Sequence, residues 1–201
     1  MNVPNAITLA RALLAGVGFA LLEAVRLAAE PFAENTGPGA PDTTAAWWAF
    51  GLFVVAASTD WLDGFIARRT GQVTRLGRVL DPFVDKILVC GTLIMLLGLP
   101  AARALLPPWI VAVVVARELF VTTLRGVAEA EGRAFPADRS GKLKMVVQSV
   151  TIAALLAFVA GTDGLESPAR VGVWLTLALT LWSGIHYCIK ARDVLRVEVA
   201  A

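Results

Sequence analysis

Charge is scarce in this 201-residue chain: Asp, Glu, Lys and Arg make up 17% of it and the formal net charge is only +2. So small a balance gives no sign of a nucleic-acid partner held by a basic surface. Cysteine is scarcer still. Cys90 and Cys188 both lie in apolar segments and read as buried free thiols rather than a disulfide framework. The single histidine, His186, falls near the end of the last apolar run, where a packed or hydrogen-bonded side chain is expected rather than a ligand or base. No lipidation motif opens the chain, and no basic segment precedes the first apolar run. That run therefore reads as a retained helix, not a cleaved signal. Internal repeats and low-complexity tracts are absent from the sequence.

What the chain has in abundance is apolar surface. Hydrophobic residues make up 57% and the mean hydropathy is +0.70, well above a soluble composition. The expectation is an all-α integral membrane protein, residues 1–201 forming one domain. Six helical spans can be drawn, over about 4–28, 44–69, 77–99, 107–130, 141–160 and 169–192, each near the ~20 residues that cross a bilayer. Pro31, Gly37, Pro38, Gly39 and Pro41 mark a loop over 31–44, and Pro100, Pro107, Pro108, Gly161, Gly164 and Pro168 separate later spans. Pro82 is compatible with the first turn of the third helix, where its missing N–H is not needed. Five tryptophans, Trp47, Trp48, Trp109, Trp174 and Trp182, fall near span ends as an aromatic belt would place them, and Trp61 reads as packing. Basic residues alternate between loops: Arg68, Arg69, Arg75 and Arg78 after the second span, Arg125, Arg133, Arg139, Lys142 and Lys144 after the fourth, and Lys190, Arg192 and Arg196 at the end. The positive-inside rule then puts these loops and both termini in the cytoplasm, as expected of a multi-pass protein of the inner membrane.

Against that apolar background, four aspartates fall in one 26-residue stretch: Asp60, Asp63, Asp81 and Asp85. An ionised carboxylate at membrane depth costs several kcal/mol, so four of them need a cation. On a helix Asp60 and Asp63 are i,i+3, with Gly64 and Ala67 in the same arc; Gly77, Asp81 and Asp85 are i,i+4,i+8 on one face. Two helices would present carboxylates beside side chains too small to obstruct a ligand. Converging hard oxygens suit Mg²⁺ or Mn²⁺, and paired metals suit displacement at phosphorus. A second reading leaves these carboxylates neutralised by arginines without metal. A third, from another class, is a cation transporter, but no polar residues continue across the bilayer from them.

The spacing D-x2-D-G-x2-A-R-x8-G-x3-D-x3-D resembles the signature of the CDP-alcohol phosphatidyltransferases, with every fixed position present. Outside it, Asn2 to Arg11, Ala116-Arg117-Glu118, Leu124-Arg125, Gly141-Lys142-Leu143-Lys144, Gln148 and Leu181-Trp182-Ser183 resemble the bacterial phosphatidylglycerophosphate synthase branch of that family. The resemblance covers nearly the whole chain. It implies a six-helix fold with a polar metal and nucleotide cavity open to the cytoplasm, and transfer of a phosphatidyl group from CDP-diacylglycerol to glycerol 3-phosphate with release of CMP. Two divalent ions, the lipid bilayer and a homodimeric partner are implied with it. Inositol phosphate, serine, or phosphatidylglycerol as in cardiolipin synthase are the alternative acceptors.

By the same resemblance Asp60, Asp63 and Asp81 ligate metal, and Asp85 serves as general base while also touching metal. Gly64, Ala67, Arg68 and Gly77 fit the nucleotide half of the signature. Asn5, Thr8 and Arg11 are candidates for the substrate phosphates, with helix capping and anchoring as the rival reading. Arg117 interrupts a long apolar run and is expected to face a polar cavity. Adjacent helical residues point ~100° apart, so Arg117 and Glu118 are not expected simply to pair. Arg117, Arg125, Lys142, Arg139 and Lys144 are the candidates for the acceptor phosphate, against a solvated basic cluster for 133–144.

Overall fold

The computed structural model describes the backbone of residues 3–34, 43–70, 75–130 and 139–195, and the side chains of 6–29, 43–59, 77, 80–128, 130 and 140–190. Apart from short connections these residues are helical: α1 (Val3–Glu34), α2 (Thr44–Thr70), α3 (Arg75–Leu96), the single turn α4 (Pro100–Arg103), α5 (Pro108–Ala130), α6 (Arg139–Val159) and α7 (Glu166–Leu195), with a 3-10 turn at Asp163–Leu165. Apolar runs set the helices and proline and glycine set most of their ends. Pro108 opens α5, and Gly161 takes a φ of 99° just past α6, a conformation that favours glycine.

Two prolines depart from expectation. The helix α1 continues past Pro31 to Glu34. Pro31 forfeits one backbone N–H, but Ala28, Ala29 and Ala33 around it favour helix. Because α3 starts at Arg75, Pro82 lies inside it rather than in its first turn. It withholds an N–H from the Arg78 carbonyl in the turn that carries the second pair of aspartates.

Helix α1 packs on α2 and α3, α6 packs on α7 and α2, and α5 packs on α7. Small side chains make the close approaches. Ala46, Ala49 and Ala56 of α2 are fully buried, as expected where helix backbones come near each other in lipid. A Cβ on Gly91 of α3 would stand 2.3 Å from Cζ of Phe19 on α1. Gly91→Val is therefore expected to lower stability by about 1–3 kcal/mol, read as a lower thermal unfolding midpoint in detergent; an unchanged midpoint would mean the Phe19 ring swings aside at no cost.

Large apolar side chains cover the exterior as well as the core, and several polar side chains are held inside. Leu13, Trp48, Val146, Val150, Trp182 and Ile185 are each more than half exposed, whereas Arg11, Glu118, Lys144, Gln148, Thr180 and Ser183 are buried. Such an apolar exterior suits a bilayer. Three stretches among the described residues are long and apolar enough to cross a membrane: Ala6–Ala29, Ser140–Val159 and Asp163–Lys190. The protein is thus an all-α, membrane-embedded bundle. In α3 and α5 the apolar runs are interrupted by Asp81, Asp85 and Lys86, and by Arg117, Glu118 and Arg125. Trp47, Trp48, Trp109, Trp174 and Trp182 are exposed, as belt residues should be. Cys90 is buried, but Cys188 is exposed on α7, contrary to expectation, because its neighbours Ile185 and Ile189 share an outward face. His186 is exposed there too.

Candidate active site

The second half of the aspartate pattern lies on one face of α3. Gly77 is buried, Asp81 is exposed and Asp85 is partly buried, one helical turn apart from each other in succession. Behind them, α1 supplies two almost fully buried polar side chains, Thr8 and Arg11. The Thr8 hydroxyl donates to Asp81 Oδ1. Arg11 Nη1 donates to Asp85 Oδ1 at 2.9 Å. These contacts hold both carboxylates from the rear, and the arginine offsets negative charge in a position water scarcely reaches.

The first half of the pattern lies on α2, whose helix runs through Asp60, Asp63, Gly64, Ala67 and Arg68 to Thr70. The side chains of these residues lie outside the described ones, as do those of Asn5 and Arg139.

A second polar cluster adjoins Asp85. Glu118 of α5 is 2% exposed and is met by cations from three helices. Lys86 Nζ of α3 lies 2.6 Å from Glu118 Oε2, and Lys144 of α6 donates to Oε1. Arg117 Nη1 reaches Oε1 at 3.2 Å. The adjacent pair does therefore interact, against the geometric expectation: Glu118 is anchored inward, and the long guanidinium arm bends back to it. Arg117 also donates from Nη2 to Ser183 Oγ of α7 at 2.9 Å, and its guanidinium stands 5.4 Å from the Tyr187 ring centroid.

The candidates for an acceptor phosphate thus divide. Arg117 and Lys144 meet at Glu118. Lys142, two residues from Lys144 and so on another side of α6, is exposed. Arg125 is half-buried, and its Nε has no hydrogen-bond partner among the described residues. Lys86 went unnoticed in the sequence; the signal was a lone ammonium following Asp85 inside an apolar helix, which needs a carboxylate nearby. Glu118, singled out with Arg117, is that carboxylate.

The sequence pattern of the CDP-alcohol phosphatidyltransferases matches residues 1–182. The chain belongs to the CDP-alcohol phosphatidyltransferase family. Among similar members is the CDP-diacylglycerol–glycerol-3-phosphate 3-phosphatidyltransferase of Bacillus subtilis, 33% identical over 98% of each chain. That of Pseudomonas fluorescens is 33% identical over 98% of this chain and 94% of its own. A CMP-forming cardiolipin synthase of Streptomyces coelicolor is 29% identical over 100% of this chain and 87% of its own.

Phosphatidyltransferases of this family depend on a divalent cation. Among the described residues no three His, Cys, Asp or Glu side chains stand together as a metal-binding group; Asp81 and Asp85 offer hard carboxylate oxygens from successive turns of one helix face, braced by Thr8 and Arg11.

Proposed function

We propose that this protein transfers the phosphatidyl group of CDP-diacylglycerol to glycerol 3-phosphate, giving phosphatidylglycerophosphate and CMP. The observation that carries the reading is the near end-to-end similarity to glycerol-3-phosphate-using relatives, in a chain whose Asp81 and Asp85 are held side by side from behind. Asp60, Asp63, Asp81 and Asp85 would hold two ions, Mg²⁺ or Mn²⁺, which when bound neutralise pyrophosphate charge and the leaving oxygen. Asp85 takes the proton of the acceptor hydroxyl. That oxygen bonds to the lipid-side phosphorus as the bond from phosphorus to the CMP oxygen breaks, and CMP departs. Gly64, Ala67 and Gly77 leave room for the nucleotide, Arg68, Asn5 and Thr8 contact the donor, and Arg11 keeps Asp85 aligned. Arg117, Arg125, Arg139, Lys142 and Lys144 supply positive charge for the acceptor phosphate.

The whole chain, 1–201, acts as one membrane domain of six spans and pairs as a homodimer in the inner membrane. The basic loops support a cytoplasmic position for the termini and for the mouth of the polar cavity. The cardiolipin synthase likeness favours one second reading, in which phosphatidylglycerol is the acceptor. Purified protein given CDP-diacylglycerol and Mg²⁺ is expected to release CMP with glycerol 3-phosphate and not with serine, inositol phosphate or phosphatidylglycerol. Turnover with phosphatidylglycerol alone would establish the second reading. No CMP with any acceptor, from folded protein, would sink the transferase reading.

A further inference from the structure

Of the late stretch Leu181-Trp182-Ser183, two side chains face outward: Leu181 and Trp182 are exposed, as lipid-facing residues of α7 would be. Ser183 turns inward, fully buried, and meets Arg117 of α5. The Arg117 arm lies along one turn of α7. Its stem passes Gly184, where a Cβ would stand 3.5 Å from Arg117 Cγ. Its Nη2 donates to Ser183 Oγ at 2.9 Å. One turn on, the guanidinium stands 5.4 Å from the Tyr187 ring centroid, within reach of a cation–π contact.

Both partners are themselves held. Ser183 Oγ donates its own proton to the Thr180 carbonyl at 3.2 Å, which leaves the oxygen's lone pairs to Arg117. The Tyr187 ring is buried, and its hydroxyl end abuts Gly141 at the start of α6, where a Cβ would stand 3.4 Å from Oη. Arg117 is thereby fixed on α7 and, through Tyr187, on α6.

Charge balance does not account for so much restraint. Among the described residues the carboxylate bonded to Arg117 is Glu118, which is shared with Lys86 and Lys144. Three cations face one carboxylate there, so positive charge is in excess within the cluster. Ser183 and Tyr187 bring no anion: they aim the guanidinium without neutralising it. The Arg117 side chain keeps 11% exposure, so it is not sealed away from a ligand. A free arginine arm loses much rotamer freedom when a ligand fixes it. One that is already fixed and still short of negative charge is prepared for a phosphate.

We propose that Ser183 and Tyr187 are positioning residues for the acceptor, holding the Arg117 guanidinium in the orientation that receives the phosphate of glycerol 3-phosphate. This rests on the reading of Arg117 as an acceptor-phosphate residue and extends it to α7.

The test is a split between KM and kcat, read as CMP release with each substrate varied in turn. In Ser183→Ala the KM for glycerol 3-phosphate is expected to rise about five- to tenfold, the worth of one hydrogen bond. The same variant should leave kcat and the KM for CDP-diacylglycerol within about twofold of the parent, since Arg117 touches neither the donor nor the reacting atoms in this reading. Tyr187→Leu, which removes the ring, should act in the same direction, whereas Tyr187→Phe keeps the ring and should stay near the parent. This pair carries the comparison if the serine variant does not fold. With Arg117→Met in place, Ser183→Ala should change kcat/KM for glycerol 3-phosphate by less than about twofold, because no guanidinium is left to aim. A full further loss in that background would overturn the assignment by making Ser183 act independently of Arg117. A fall in kcat with both KM values unchanged would overturn it in favour of a helix-to-helix contact, and a raised KM for CDP-diacylglycerol in favour of the donor phosphates. Unchanged kinetics in Ser183→Ala and Tyr187→Leu alike would overturn it outright. Unaltered protein that uses phosphatidylglycerol and not glycerol 3-phosphate would instead remove the acceptor reading on which it rests.

Discussion

Asp85→Asn is expected to lower CMP release about a thousandfold, within the 10²–10⁴ range that loss of a positioned base produces, while leaving the bundle folded. The two halves of this expectation have separate causes. Asn keeps an oxygen at the position where Asp85 Oδ1 accepts from Arg11 Nη1 at 2.9 Å, so the arginine, 2% exposed, is not left without an acceptor. It cannot accept the proton of an acceptor hydroxyl, and it removes one negative charge from the carboxylate pair. Asp85→Ala differs in removing the oxygen as well. Arg11 would then be a buried cation stripped of this partner, and stability should fall together with activity. Measuring CMP release and thermal unfolding on both variants separates the effects. An asparagine variant within about tenfold of the parent rate would take Asp85 out of the base role, and a destabilised one would make its pairing with Arg11 structural first.

The pairing of α1 with α3 shows where the sequence is readable and where it is not. Helix extents followed from apolar runs and breakers: 107–130 was expected for the helix observed at Pro108–Ala130, and 141–160 for Arg139–Val159. Pro31 and Pro82 misled because proline weakens a helix without always ending it, and surrounding residues decided the outcome. The spacing of Gly77, Asp81 and Asp85 fixed one face of α3. It could not reveal that Thr8 and Arg11, more than seventy residues earlier, stand behind that face, since helix periodicity says which side chains share a face and not which helix they meet. Lys144 carried the same ambiguity. In the sequence it belongs to a run of basic loop residues; in the bundle it is 3% exposed against Glu118, while Lys142 remains outside.

That burial makes Glu118 the most exposed to damage of the charged residues described outside the aspartate pattern. Glu118→Leu is expected to destabilise the protein by about 3–5 kcal/mol, the usual cost of breaking a buried ion pair by removing one partner. Its carboxylate is the shared acceptor of Lys86, Lys144 and Arg117. Without it their mutual repulsion is unopposed in surroundings that screen poorly. The three cations do not suffer equally. Arg117 keeps Ser183 and the Tyr187 ring, and Lys86, 25% exposed, can turn toward water. Lys144, 3% exposed, can do neither. Most of the loss is therefore assigned to one stranded ammonium, and Glu118→Leu/Lys144→Leu should recover most of the stability, because apolar replacement of both partners of a buried pair is often neutral or better. Thermal unfolding in detergent reads both steps. Recovery of the fold in the double variant without recovery of CMP release would mean that the cluster, Lys144 included, serves the substrate as well as holding the helices together. No recovery at all would shift the weight of the cluster from Lys144 to Lys86 and Arg117.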